Sequence, residues 1–335
     1  MIEKKLEILI ITYNRSKDLE NTFKQLIKSP FAKCKIIVLD NCSEDDTPAI
    51  CVKYQKQFPK MDIIRHKKNI GAAANYLRAV ESSKSLYSWV LCDDDNLDFS
   101  DCSDIMEVLE TRNFDLISVG HPSYSNWKRG VKTTTKELIE CGATYFTTLS
   151  FIPSSIYKTE LYDSICLHKS YDNIYTLFPH FAFITKSIED NFSIYVSKKE
   201  IVIRGDHNNP GFSSLEWLNG WINSCSLLKD EKIRQKAVHE ISFGSFLIKK
   251  ILLAILSEKF INNEKSFKNY LMFLSGTVST FRFSKDILLM PLAIPLILVP
   301  AWMYKNTVKL CLIFIFGKKY KKRIKISQQD QDAFR

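Results

Sequence analysis

The stretch Trp89-Val90-Leu91-Cys92-Asp93-Asp94-Asp95-Asn96-Leu97 constrains this chain more than any other. An apolar run that stops at acidic and amide side chains reads as a buried strand whose C-terminal end opens into a loop. No Lys or Arg stands beside the three carboxylates in sequence, and three adjacent anions repel one another. A bound divalent cation resolves that conflict, because hard cations take oxygen ligands and bridge to phosphates. The plainer alternative is a solvated acidic turn that caps a helix starting near Ser100.

The residues upstream favour the cation. Leu6–Ile11 is a short apolar run ending at Thr12-Tyr13-Asn14-Arg15, and Leu19, Phe23, Leu26 and Ile27 then share one face of a helix over 17–28. Lys35–Leu39 is a second strand, closed by Asp40-Asn41. Ser43 to Pro48 starts a helix, with cap-type side chains, early acids and a proline in the first turn. Asp62–Arg65 is a third strand, and Asn69-Ile70-Gly71 turns into a helix that runs past Asn75 to about Ser83. The organising strand at 88–92, a helix over 101–111 and a strand over 115–119 follow. Strand and helix alternate with short connections, which predicts a largely parallel sheet covered on both faces. Ligands of such sheets sit beyond the C-terminal strand ends, so Thr12–Arg15, Asp40–Asn41 and Asp93–Asp95 are expected to converge on one crevice.

Known signatures narrow the chemistry. No GxGxxG follows the first strand and no GxxxxGK[ST] occurs, which disfavours dinucleotide oxidoreductases and P-loop NTPases; HExxH and GxSxG are also missing. The 335 residues carry a formal charge of +10, and +7 of it falls at residues 305–335, so the body of the chain is not a basic nucleic-acid-binding surface. Nine cysteines form no CxxC pair and no zinc spacing, as expected of reduced thiols in the cytoplasm, and Met1–Lys5 does not read as the start of a signal peptide.

The ordered set Thr12-Tyr13-Asn14-Arg15, Val38 to Thr47, Asn69-Ile70-Gly71 with Asn75, and Asp93-Asp94-Asp95 resembles the family 2 glycosyltransferases. The resemblance covers roughly the first 100 residues. It implies the GT-A fold: an α/β, Rossmann-like nucleotide-sugar-binding domain with a mixed, mostly parallel sheet. It further implies that Thr12 and Tyr13 line a nucleotide pocket with Asn14, Arg15, Asn41, Asn69, Gly71, Asn75 and Asp93. Asp40 would hydrogen-bond the base, and Asp94 and Asp95 would hold Mn²⁺ or Mg²⁺ on the diphosphate. The family often has an acid where this chain has Cys92.

Ser154 to Lys158, Phe178-Pro179-His180 and Ile203-Arg204-Gly205-Asp206 resemble enzymes that build bacterial O-antigen and capsule chains, including abequosyltransferase-like proteins. Many of these place a Glu-Asp pair near Pro179-His180, its Asp acting as base; no such pair stands here. An inverting transfer still needs a group to accept the acceptor hydroxyl's proton, for which His180, Asp172 and Asp190 are candidates. Among Phe178, Phe181 and Phe183, His180 also fits a core role. Arg204, Asp206 and His207 lie in a turn-rich stretch that fits either a solvated loop or one closing over the diphosphate.

The expected division is a nucleotide-sugar half at 1–120, an acceptor half at 121–213, a helical extension at 214–283 and a tail at 284–335. Ile287–Tyr304 has eighteen uncharged residues interrupted by Pro291, Pro295 and Pro300; a short apolar run and Lys318–Arg323 follow. This pattern suits an element lying in the cytoplasmic leaflet of the inner membrane against anionic lipid, with a buried helical hairpin as the competing reading. The expected activity is sugar transfer from a nucleotide-diphosphate sugar to a lipid-linked oligosaccharide acceptor of a surface polysaccharide. A nucleotidyltransferase and a non-catalytic assembly protein are the alternatives. The first is weakened by the lack of glycine in Thr12–Lys17.

Overall fold

A computed structural model describes residues 1–111, 113–120, 126–203, 205 and 214–240. Among these residues the strands run in chain order as β1 (Leu6–Thr12), β2 (Lys35–Asp40), β3 (Met61–Arg65), β4 (Tyr87–Cys92), β5 (Asn96–Leu97), β6 (Leu116–Ser118), β7 (Val131–Thr134), β8 (Ser155–Lys158), β9 (Ser193–Val196) and β10 (Val202–Ile203). The helices are α1 (Ser16–Leu26), α2 (Thr47–Gln55), α3 (Ala72–Ser82), α4 (Ser103–Thr111), α5 (Thr135–Glu140), α6 (Tyr145–Leu149), α7 (Ser164–Asp172), α8 (Phe181–Glu189), α9 (Ser214–Cys225) and α10 (Glu231–Glu240).

Eight strands form one sheet in the order β3-β2-β1-β4-β8-β6-β9-β7. The first four are parallel, so β1, β2 and β4 all end on the same edge. β8 and β7 run antiparallel to their neighbours, which makes the sheet mixed and mostly parallel. The register sets Thr12 beside Asp40 and Ile11 beside Cys92, placing the three polar strand ends side by side.

One face of the sheet presents Ile8, Ile10, Ile36, Val38, Trp89 and Leu91 to Leu19, Phe23 and Leu26 of α1. Phe23 is fully buried and stacks on Tyr54, their ring centroids 5.1 Å apart; burying such a ring stabilises the fold by about 2–3 kcal/mol. α3 covers β1, β2 and β4 from the other side. Trp89 is wholly buried and donates its indole N–H to the Pro153 carbonyl, tying β4 to the second half of the domain.

That second half packs through aromatic rings. Tyr162 and Phe183 lie parallel at 4.7 Å, and Phe183 also meets Tyr157 and Phe192. Helix α5 opens with a full capping box between Thr134 and Glu137.

The chain divides into two units after Gly205. Strands from both 1–120 and 121–213 enter the one sheet, so the two expected halves fold as a single unit to that point. In the second unit α9 and α10 pair, the Trp221 indole donating to the Ala237 carbonyl. Among the described residues no helix is long and apolar enough to cross a membrane. The expected tail at 284–335, and the part of the helical extension after residue 240, lie outside the described residues.

Candidate active site

The loop after β1 is built by its backbone reaching across to the loop after β2. Asn14 N–H donates to Ser43 Oγ (2.9 Å), Arg15 N–H to Thr47 Oγ1 (3.2 Å) and Ser16 N–H to Asp45 Oδ2 (3.0 Å), while Asn14 Oδ1 accepts from Glu44 N–H (2.7 Å). Asn14 (φ 51°) and Cys42 (φ 67°) take the left-handed conformation, which Asn tolerates better than Cys. Tyr13, at 41% exposure, is left facing solvent at the crevice edge.

Asp40 ends β2 almost completely buried. Its Oδ1 accepts from Ser43 N–H (2.9 Å), and Oδ2 lies 3.2 Å from Arg65 Nε. Asn41, also buried, donates to Asn69 Oδ1 (2.9 Å) and accepts from Ile70 N–H (2.9 Å), fastening the 69–71 turn to the end of β2. Gly71 caps α3 at φ 86°; no atom crowds the space its Cβ would fill, so conformation alone calls for glycine. Asn75 spends its amide on the Leu39 carbonyl (3.1 Å) and the His66 ring (3.0 Å), so it braces α3 against β2.

The acidic triplet is neither solvated nor without a cation. Asp93 and Asp95 are 4% and 3% exposed. Arg15 reaches them from the first loop: its guanidinium lies 3.3 Å from Asp93 and pairs with Asp94. The sequence predicts no basic neighbour because the pairing residue sits 78 positions upstream and is brought in by the register of β1 against β4. Burial pushes the Asp93 carboxyl up to about 6, with Thr12 and Arg15 pulling the other way.

Cys92, Asp94 and Asp95 bring a thiol sulfur and two carboxylate oxygens within 4.8 Å of one another. That spacing and donor number fit a divalent cation. Strands β5 and β10 pair just beyond, and Gly205 N–H donates to Asp95 Oδ1 (3.1 Å). Arg204, Asp206 and His207 lie outside the described residues.

The three candidate bases do not meet. His180 is buried, its ring 5.8 Å from Tyr76 and 5.9 Å from Phe178, and neither nitrogen has a hydrogen-bond partner among the described residues. Burial lowers its pKa to about 4, leaving a neutral imidazole. Asp172 is exposed at the end of α7, 3.8 Å from His168. Asp190 lies at the C-terminal end of α8, paired with Lys186 at 2.9 Å, whereas His180 caps the other end. Arg65 and His66 take part in the site's bonding and lie outside the motifs, marked in sequence only by their strand-end positions; Ser43 and Gly205, which also bond here, stand inside motif segments that assign them no role.

A parallel sheet ending in these loops, continued by antiparallel strands, is the GT-A fold of nucleotide-sugar enzymes. Residues 7–192, more than half of the chain, match glycosyl transferase family 2, and the chain belongs to that family. A curated relative, an uncharacterized glycosyltransferase of Haemophilus influenzae, is 26% identical over 118 residues, which span 35% of this chain and 38% of the relative. Among solved structures, S. aureus TarS 1-349 in complex with UDP-GlcNAc superposes with a TM-score of 0.55 at 17% identity, covering 84% of this chain and 91% of that one. The mannosyltransferase PcManGT from Pyrobaculum calidifontis, in complex with GDP-Man and Mn²⁺, gives 0.52 at 10% identity, covering 83% and 80%. At these identities the likeness establishes the fold.

Proposed function

We propose that this chain transfers a sugar, with inversion, from a nucleotide-diphosphate sugar to a lipid-linked acceptor of a surface polysaccharide, at the cytoplasmic face of the inner membrane. One observation carries the donor side of this reading: the ends of β1, β2 and β4 converge, with Asp40 buried at one and Cys92–Asp95 at the other. The family membership and the UDP-GlcNAc and GDP-Man complexes of TarS and PcManGT support the same donor class. The acceptor and the membrane rest on the resemblance of 154–206 and on the basic tail.

Asp40, already oriented by Ser43 and Arg65, meets the base at the floor of the crevice. Thr12 and Tyr13 line the pocket wall, and the 69–71 turn, held by Asn41, closes its far side. Asp94 and Asp95 would hold Mn²⁺ or Mg²⁺, which would neutralise charge growing on the diphosphate as it leaves. Arg15 can offer charge-assisted hydrogen bonds to the same phosphates. His180 lies against the Tyr76 and Phe178 rings, and burial holds its pKa near 4, too low for an effective base; it would accept the acceptor's proton only if substrate binding exposed the ring and raised that value.

The test is a thermal-shift and calorimetric screen of nucleoside diphosphates and their sugars against the full chain, with and without Mn²⁺. A nucleotide-dependent stabilisation that needs the metal supports the reading. No binding to any nucleotide at millimolar concentration removes it.

A further inference from the structure

We infer that Cys92 is a ligand of the cation at this site, and that the site prefers a thiophilic divalent ion of the Zn²⁺, Co²⁺ or Cd²⁺ kind over Mg²⁺. This rests on the donor-site reading above and goes beyond it, because the resemblance assigns the metal to Asp94 and Asp95 alone.

The placement follows from the strand. Leu91 points into the core beside α1, so Cys92, the next residue of β4, emerges on the opposite face at the very end of the sheet. It is only partly covered, as a ligand must be to meet an ion. The turn beyond sends Asp94 and Asp95 back toward it, and the sulfur closes a three-atom set within 4.8 Å. Metal–ligand bonds of about 2.0–2.3 Å make ligand pairs about 3–4 Å apart, so small side-chain rotations bring all three onto one ion.

Asp93 is not part of this set. Its carboxylate is turned to Arg15, and its carbonyl accepts from Thr22 on α1. Arg15 touches both Asp93 and Asp94, and of the two only Asp94 also offers an oxygen to the set formed with Cys92 and Asp95. A thiolate and two carboxylates carry three negative charges, one more than the ion, and Arg15 beside Asp94 offsets the excess. Soft sulfur favours borderline ions over Mg²⁺, which demands hard oxygens. As the sulfur–metal bond forms, the thiol proton leaves to solvent.

The readout is spectroscopic, so it does not depend on turnover. Co²⁺ is titrated into the full chain with UDP present, and the near-ultraviolet spectrum of Cys92→Ser is subtracted from that of the unaltered protein. A thiolate-to-cobalt charge-transfer band in the difference is expected. Cys92→Ser is also expected to weaken Cd²⁺ binding at least about tenfold while Mg²⁺ binding shifts less than about threefold. Cys92→Asp, which restores an oxygen donor, should reverse the preference toward Mg²⁺ and serves if the serine variant folds poorly. Stoichiometric Co²⁺ binding without a difference band overturns the inference and leaves the donor site standing. Failure of Mn²⁺, Co²⁺ and Mg²⁺ alike to bind, by calorimetry with UDP, overturns both.

Discussion

The two halves of the sheet solve different problems with different materials. At the ends of β1, β2 and β4 the chain is held by polar bonds between loops far apart in sequence, such as Asn14 to Ser43 and Asn41 to Asn69. Around β8 and β9 it is held by rings, with Tyr157, Tyr162, Phe183 and Phe192 in one cluster. Polar bonds fix atoms at set distances and directions, which a phosphate and a base require. Rings fix volume and tolerate exchange, which suits a half whose partner differs from enzyme to enzyme.

If that contrast is sound, a change in the first half damages binding before stability, and a change in the second does the reverse. The largest effect is expected from Asp94→Ala. It removes a metal ligand while Asp93 still holds Arg15, so metal-dependent donor turnover should fall about a thousandfold, roughly 4 kcal/mol, with an almost unchanged melting temperature. Unchanged donor hydrolysis in this variant would end the metal assignment. Phe183→Ala comes next: a fully packed ring is lost, and urea unfolding should show about 3 kcal/mol less stability. Calorimetry at low temperature should still find nucleotide binding within about threefold of normal.

Asn41→Ala lies between the two. Two part-buried hydrogen bonds to the 69–71 turn disappear, so about 1–2 kcal/mol of stability and about tenfold in nucleotide affinity should go together. A further effect, read against pH, concerns His180. Its folded value near 4 lies below the ordinary 6.5, so between those values the unfolded chain binds a proton that the folded one refuses. Stability therefore falls as pH drops through that window, by at most about 1.4 kcal/mol per pH unit. Urea midpoints at pH 7 and pH 4.5 should converge in His180→Phe. The same variant's transfer rate, compared with its donor affinity, separates a base from a packing residue.

The same contrast explains what could be read in advance. The strands and helices of residues 6–119 follow from apolar runs and cap residues, and their C-terminal ends carry Thr12, Asp40 and Asp93, so the crevice is legible. Helix α1 stops at Leu26, short of the expected residue 28. Arg15's pairing with the triplet was not legible, since only the register of β1 on β4 creates it. Nor was the role of Cys92, which the three carboxylates after it overshadow and whose face depends on the pleat. In the second half, the phenylalanines around His180 already fitted a core role and the structure buries it, whereas its contact with Tyr76 from a distant helix is encoded in no local pattern.

Arg15 has a consequence of its own. It is a positive charge on a leash, anchored by its backbone to Thr47 and resting against Asp93 and Asp94. An ion arriving from solution must unseat a rival that can never diffuse away, so its apparent affinity is lowered by the fraction of time the arm stays home. Occupancy of the pocket then needs more free metal than the bare ligands would, and a guanidinium set loose by loading is left within reach of whatever anion enters next.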